Sequence, residues 1–312
     1  MQRPILVYHP TKADQYAAYL ETQGVLVQVV HDRIDFERGM NNGSTILFAW
    51  RFPWQWIQAG STLTWIQLMG AGADDIIHHS YVMNHQTVTR VLDQFGAPIA
   101  EYVFAWILYL SQGIDRLRQA QQQKLWNPFV PQSISDKTLA IAGLGSIGKE
   151  IAKRGQAFSM KVIGLSRTHK DQGVIEAWYQ PDDWSTFAQQ ADYLVLALPL
   201  TQATYHVLDE KILQVMKKDV IVINIGRGQL INEEDLQKAL LHHRIQGAIL
   251  DVLQQEPLPK EHPFWHTEGI YITPHMSGVS QIEKVSDFFR LNLLRYERSQ
   301  PLQGIVDPLL NY

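Results

Sequence analysis

One short segment constrains this 312-residue chain more than any other: Gly143-Leu144-Gly145-Ser146-Ile147-Gly148. An apolar run, 139–142, leads into it, and a helical pattern, 149–158, follows. The pattern G-x-G-x-x-G is weak by itself, because glycines also punctuate ordinary turns. Between a strand and a helix each glycine acquires a task. The first permits a tight turn, the second lets a pyrophosphate approach the backbone, and the third lets helix and strand pack closely. The helix N-terminus then offers unpaired N–H groups and the positive end of its dipole to the phosphates. The segment therefore predicts a dinucleotide cradled by Gly143, Leu144, Gly145, Ser146, Ile147 and Gly148.

The rest of the chain supplies a matching framework. Strand-like apolar runs stand at 5–8, 25–30, 46–49 and 65–69, then at 139–143, 161–165, 193–198, 220–225, 247–252 and 271–273. Several are apolar at consecutive positions, which suits strands covered on both faces of a parallel sheet. Their alternation with helical patterns predicts repeated βαβ units and an α/β fold. At roughly 150 residues per domain the length suggests about two domains. Residues 99–110 are apolar nearly all round, predicting a helix buried in a core or a subunit interface. Leu125-Trp126-Asn127-Pro128-Phe129-Val130-Pro131 reads as a connector, and the tail from about Ser299 has no clear element.

Composition removes several functions. A net charge of -4 with 19% charged residues argues against a nucleic-acid partner. The absence of Cys rules out disulfides, thiolate nucleophiles and Cys-ligated zinc. The longest apolar run, 102–110, falls far short of the ~20 residues that span a bilayer. The first apolar run is too short for a secretory signal core. The expectation is a soluble cytoplasmic protein with no membrane partner. His78-His79 and His242-His243 are adjacent pairs that do not share a helix face, so no metal site is expected. The tryptophans at 54, 56 and 65 read as core or interface.

Cofactor choice is written after the second strand of the dinucleotide unit. An NAD site expects an acid there, about 20 residues past the glycines, for the ribose hydroxyls. Here the strand runs into Ser166-Arg167-Thr168 with no acid. An Arg can pair with a 2′-phosphate that a carboxylate would repel. NADP is the expected cofactor, with NAD left open.

Three residues carry candidate chemistry. Arg227 follows the run 220–225, Glu256 lies beyond 247–252, and His275 follows 271–273. In parallel α/β sheets ligands bind at the carboxyl ends of strands. Arg227 could grip a carboxylate and polarise a carbonyl. A Glu256–His275 pair would fix the imidazole tautomer and let it act as an acid. Taken singly, each also reads as an ordinary surface or loop residue; their common position after strand ends of one sheet joins them.

Gly143–Gly148, Asn224-Ile225-Gly226-Arg227-Gly228, Leu250-Asp251-Val252 through Glu256-Pro257, and Thr273-Pro274-His275 stand in an order that resembles the D-isomer-specific 2-hydroxyacid dehydrogenases. The resemblance covers nearly the whole chain and is strongest from 136 to 278. Within the family the chain looks most like the glyoxylate/hydroxypyruvate reductase A group, through Tyr8-His9-Pro10-Thr11, Gly70-Ala71-Gly72-Ala73-Asp74, Ser166-Arg167-Thr168 and the tail at Val306-Asp307. It implies two Rossmann-like domains with a cleft: a discontinuous substrate domain, 1–98 plus 276–312, and a dinucleotide-binding domain, 99–275. It implies reduction of a small 2-oxo acid, hydride transfer with His275 as acid/base, Glu256 as its partner, Arg227 on the substrate, and a homodimer. Ser166, Arg167, Thr168, Leu198, Pro199, Thr204, Ile225, Gly226 and Gly278 would lie along the cofactor, with Asp251 near the nicotinamide. Backbone N–H groups of Ala71 and Gly72 would hold the substrate carboxylate, and Trp50 and Arg51 would line the pocket.

The missing acid and Met276, which directly follows His275 where many relatives carry a smaller residue, are departures. No regulatory domain like that of longer phosphoglycerate dehydrogenases is expected. Two alternatives stay open: a nicotinamide-sensing co-repressor of the same fold, and a dehydrogenase of bulkier 2-oxo acids, suggested by the aromatic segment 50–56.

Overall fold

The computed structural model describes residues 3–77, 79–168 and 173–307, so His78 of the first histidine pair lies outside the described residues. The chain begins with β1 (Ile5–Tyr8), α1 (Ala13–Thr22), β2 (Val27–Val29), α2 (Arg33–Asn41), β3 (Ile46–Ala49), β4 (Trp65–Leu68), α3 (Ser80–His85) and β5 (Thr87–Thr89). It continues through α4 (Gly96–Ser111), α5 (Ile114–Gln122), β6 (Thr138–Ala142), α6 (Ser146–Ala157), β7 (Lys161–Leu165), β8 (Ala177–Tyr179) and α7 (Trp184–Ala188). Then come β9 (Tyr193–Leu196), α8 (Glu210–Val215), β10 (Ile221–Asn224), α9 (Glu233–Leu241), β11 (Gly247–Leu250), β12 (Ile270–Ile272) and α10 (Ile282–Glu297). Two compact units result. Unit 1 combines the residues up to Phe95 with those from Ser280 onward, and unit 2 is Gly96–Val279.

Unit 1 is built on a five-stranded parallel sheet in the order β2-β1-β3-β4-β5. Every residue of β3 and β4 is buried, Gln67 included, as suits strands covered on both faces. Phe289 of α10 stacks on Phe48 at 4.5 Å between ring centres and also meets Trp65. A polar cluster sits inside this core without loose ends. Trp65 Nε1 donates to Thr89 Oγ1 (2.7 Å), Thr89 donates to Gln67 Oε1 (2.8 Å), and Asn292 Nδ2 donates to the same oxygen (3.1 Å). Pairing inside the core avoids the cost of an unsatisfied buried group, about 1–3 kcal/mol. Phe52, Trp54 and Trp56 gather with Tyr8 and Phe36, so most of the aromatic segment is structural.

Unit 2 carries a seven-stranded parallel sheet in the order β12-β11-β10-β9-β6-β7-β8. From β6 the chain lays down β7 and β8 on one side, then returns to place β9 on the other. That reversal makes the carboxyl ends of β6 and β9 a topological switch point, where such sheets bind ligands. Local chemistry fixes the helix starts on this unit: Asp209 caps α8 by accepting from Ile212 N, and Asn232 caps α9 by accepting from Glu234 N and Asp235 N. Both sheets are α/β and Rossmann-like, as the sequence suggested.

Two strands differ from expectation: β5 and β8 were not anticipated, and each is a three-residue edge strand with little apolar run to announce it. The apolar stretch 99–110 falls in α4, which buries Ile99, Ala100, Val103, Phe104 and Ile107 on one face, while Glu101 and Ala105 are exposed. Its buried face packs on α6. Among the described residues no helix is long and apolar enough to cross a membrane, and no group of three His, Asp or Glu could hold a metal ion.

Candidate active site

The glycine loop leaves β6 with Gly143 at φ 102°, a left-handed backbone that glycine adopts at little cost. Gly143 N donates to Leu165 O at the end of β7 (2.9 Å). Gly145 is the N-cap of α6 with no side chain capping it, and nothing lies within 4 Å of where a Cβ on it would stand. Gly148 is the opposite case: a Cβ there would run into the Gly143 carbonyl. The loop is thus tightly wound beneath and open above Gly145, the shape a pyrophosphate needs. Leu144 lies against Gly164 of β7, and Ser146 is exposed at the start of α6 beside half-buried Ile147.

Neighbouring strand ends complete this edge. After β7, the Ser166 hydroxyl donates to Thr168 O (2.9 Å) and accepts from Trp178 Nε1 (3.0 Å), while Arg167 and Thr168 are exposed. Beyond β9, Leu198 and Pro199 are half-buried. Thr204 closes that turn by donating to Pro199 O (2.7 Å) and accepting from Thr201 N (2.8 Å).

Arg227, Glu256 and His275 follow the ends of β10, β11 and β12, three adjacent strands. Asn224, fully buried at the end of β10, shapes the first loop: its Oδ1 accepts from Gly226 N (3.1 Å) and its Nδ2 donates to Arg227 O (2.8 Å). Ile225 and Gly226 are buried, and half-buried Arg227 donates from Nη1 to Gly226 O (2.7 Å). Gly228 lies so close to the Leu253–Gln254 backbone that any side chain would collide with it. That close approach brings the Arg227 loop against the Glu256 loop. Gln229 Nε2 to Gln254 O (3.3 Å) and Gln254 N to Glu233 Oε1 (2.9 Å) add further ties.

Glu256 uses both oxygens. Oε1 accepts from Leu253 N (3.2 Å), and Oε2 lies 2.8 Å from His275 Nδ1. Because the carboxylate accepts, Nδ1 carries the hydrogen and Nε2 is left for a ligand. The side chains of His275 and Glu256 retain 40% and 29% of their exposure, so the imidazole can be reached by a solute. His275 has φ 52°, unusual for a residue with a Cβ. Its N–H donates to Asp251 O (2.9 Å). Asp251, 1% exposed, accepts at Oδ1 from Thr273 Oγ1 (2.6 Å) and Met276 N (2.8 Å), and at Oδ2 from Ser277 N (2.9 Å). Gly278 follows, half-buried.

The remaining expected residues lie in unit 1, after β3 and β4. The Trp50 ring covers Gly70, where any Cβ would meet it. Arg51 takes φ 48°, with its guanidinium 6.0 Å from the Trp50 ring. Ala71 and Gly72 are half-buried, and Ala71 O accepts from Arg90 Nη1 (3.1 Å). Arg90 was not anticipated, and His9 stood only within Tyr8-His9-Pro10-Thr11 with no role of its own. Burial lowers the Arg90 pKa, while Asp93 and Asp74 raise it in opposition. His9, after β1, accepts at Nδ1 from Thr11 N and Lys12 N (3.1 Å each). Burial, then Lys12 and Arg51, holds its pKa below the usual 6.5. A His-Pro pair directly after an apolar strand was the available signal.

A phosphate cradle at the switch point of a parallel sheet, with an imidazole–carboxylate pair on the same edge, defines a nicotinamide-dependent dehydrogenase. The profile described as D-isomer specific 2-hydroxyacid dehydrogenase, NAD binding domain, matches residues 104–277, more than half of the chain. The chain belongs to the D-isomer specific 2-hydroxyacid dehydrogenase family. A family protein of known structure from Aeromonas salmonicida subsp. salmonicida A449 is 31% identical with a TM-score of 0.88, over 98% of this chain and 100% of that one. An NADPH-dependent glyoxylate/hydroxypyruvate reductase from Sinorhizobium meliloti, solved with NADP and sulfate, is 25% identical with a TM-score of 0.87 over 100% of both chains. Glyoxylate/hydroxypyruvate reductase A of Salmonella paratyphi C is 27% identical over 99% of both chains.

Proposed function

We propose that the protein uses NADPH to reduce a small 2-oxo acid, glyoxylate or hydroxypyruvate, to the D-2-hydroxy acid. The observation that carries this reading is the 2.8 Å His275–Glu256 pair beside the Arg227 loop, on the same sheet edge as the glycine cradle. The Salmonella and Sinorhizobium relatives support the substrate, and the NADP-bound Sinorhizobium structure supports the cofactor. Exposed Arg167, with no acid beside it in Ser166-Arg167-Thr168, suits a 2′-phosphate.

The pyrophosphate would lie over Gly145 at the α6 N-terminus, with Gly143, Leu144, Ser146, Ile147 and Gly148 forming its cradle. Leu198, Pro199, Thr204, Ile225, Gly226, Asp251 and Gly278 would flank the remainder. When bound, NADPH supplies the hydride. Arg227 grips the substrate carboxylate and polarises the adjacent carbonyl, through charge-assisted hydrogen bonds of about 1.5–3 kcal/mol. With both ring nitrogens protonated, His275 gives its Nε2 proton to the carbonyl oxygen as the carbon is reduced, and is left as the neutral Nδ1–H imidazole. Glu256 keeps the ring in the tautomer that aims Nε2 outward. Trp50, Arg51 and the N–H groups of Ala71 and Gly72 in unit 1 would add further substrate contacts. The protein would work as a homodimer in a cytoplasmic setting, and the connector's Trp126 and Val130, 98% and 92% exposed, offer apolar surface to the partner copy.

The test is NADPH oxidation with a panel of 2-oxo acids, run also with NADH. Glyoxylate or hydroxypyruvate should turn over. The His275→Asn variant should lose on the order of 10²–10⁴ in kcat while still binding NADPH. A wild-type protein inert toward the whole panel, or a fully active His275→Asn variant, would overturn the reading.

A further inference from the structure

We propose that Tyr102 and Thr273, acting through Asp251, form a positioning chain that holds the backbone of His275 in its working conformation. The starting point is the left-handed φ of His275, 52°. A side-chain-bearing residue stays in that region only where its surroundings over-determine it. Besides Thr273 O, which also accepts from His275 N (3.0 Å), the determinants converge on one residue. The Asp251 carbonyl accepts from His275 N (2.9 Å), and its two carboxylate oxygens accept from the next two amides, Met276 N (2.8 Å) and Ser277 N (2.9 Å). Three successive N–H groups are thus gripped by a single buried aspartate.

The aspartate is itself held. Thr273 donates its hydroxyl hydrogen to Asp251 Oδ1 (2.6 Å). With that hydrogen committed, Thr273 Oγ1 meets the Tyr102 hydroxyl at 2.7 Å only as an acceptor. The chain therefore has one direction: Tyr102 O–H to Thr273 O–H to the Asp251 carboxylate. Burial pushes the Tyr102 hydroxyl up to about 12, so it keeps its proton throughout the working range. Tyr102 is fixed in turn by α4, where Trp106, one turn on, lays its ring against Tyr271 of β12 at 5.3 Å. The helix thus grips the strand that delivers His275 at two points. Glu256 sets the imidazole ring, and this second, separate chain sets the backbone that carries it.

The inference rests on the reading of His275 as the proton donor, and the experiment separates the two. Thr273→Val removes the hydroxyl without changing the shape, Thr273→Ser restores it, and Tyr102→Phe removes only the outer link. In the full-length protein, Thr273→Val should lower kcat about tenfold or more, as expected when a catalytic group is displaced. Its KM for NADPH should change far less than kcat, because the glycine cradle is untouched and only Asp251 links the chain to the cofactor. Tyr102→Phe should act in the same direction but less, and Thr273→Ser should retain wild-type kcat. The His275 imidazole signals in nitrogen-15 NMR, assigned by their loss in His275→Asn, should shift or broaden in Thr273→Val and Tyr102→Phe but not in Thr273→Ser. If Thr273→Val only lowers Tm, with kcat and the His275 signals unchanged, the chain is structural and the proposal falls. If wild-type protein turns over no 2-oxo acid, the functional reading falls, and the imidazole signals still decide the positioning claim.

Discussion

Gly145 and Gly148 lie three residues apart in one loop, yet an added methyl should act on them in opposite ways. At Gly148 the new Cβ would sit about 1 Å inside the 3.0 Å approach that real Cβ atoms keep, and its obstacle is the Gly143 carbonyl, which is backbone. Either the loop or the start of α6 must move by a comparable distance. Overpacking of this kind costs about 1–3 kcal/mol. For a unit of this size it lowers Tm by about 2–12 °C. The displaced amides should also lose phosphate contacts, weakening NADPH binding about tenfold or more at about 1.5–3 kcal/mol per bond. At Gly145 nothing lies within 4 Å, and φ is an ordinary -71°. Alanine there restricts the unfolded chain, a gain of about 0.4–1 kcal/mol that offsets its poorer N-capping. Its Tm should therefore barely change. The methyl would nonetheless fill the space kept for the pyrophosphate, so NADPH binding should weaken about tenfold or more. Thermal melts and NADPH fluorescence titrations on both variants decide the matter. A Gly145→Ala protein that binds NADPH as tightly as wild type would refute the placement of the pyrophosphate. A Gly148→Ala protein with unchanged Tm would refute the steric argument.

Two other outcomes are expected. His9 takes up its proton at lower pH in the folded protein than in the unfolded chain, so its stabilising share is intact above about 6.5 and is lost as pH falls below that, through the lower folded-state value. Melts between about pH 7 and about pH 5 should show wild-type Tm dropping more steeply than that of His9→Asn, whose amide keeps an acceptor but gains no proton; parallel curves would exonerate His9. Replacing Arg167 by Asp should lower the NADPH-to-NADH ratio of kcat/KM by about 10–100-fold, the equivalent of a lost charge-assisted contact, and an unchanged ratio would remove Arg167 from the 2′-phosphate site.

The central strands were legible because apolar residues dominate them: β3 is Ile-Leu-Phe-Ala with every residue buried. Edge strands were not. β8 is paired on one side only and half-buried throughout, so its three residues carry no run. Expected strands at 193–198 and 220–225 overran β9 and β10, because the apolar character continues past the last ladder bond into the turns that form the candidate site. Arg227, Glu256 and His275 could be picked out because each follows a strand end. The Tyr102–Thr273 contact could not, since 171 residues separate the pair and only the stacking of α4 over β12 joins them.

The way unit 1 is assembled from both ends of the chain has a consequence at the ribosome. Domains generally fold as they emerge. Unit 2 is continuous and leaves with all seven strands in hand. The earlier-made sheet of unit 1 must wait with Phe48 and Trp65 uncovered until Phe289 arrives on the last helix. The earlier-made strands of unit 1 are thus sealed late, and in that interval nascent chains expose an aromatic surface open to chaperones or to self-association.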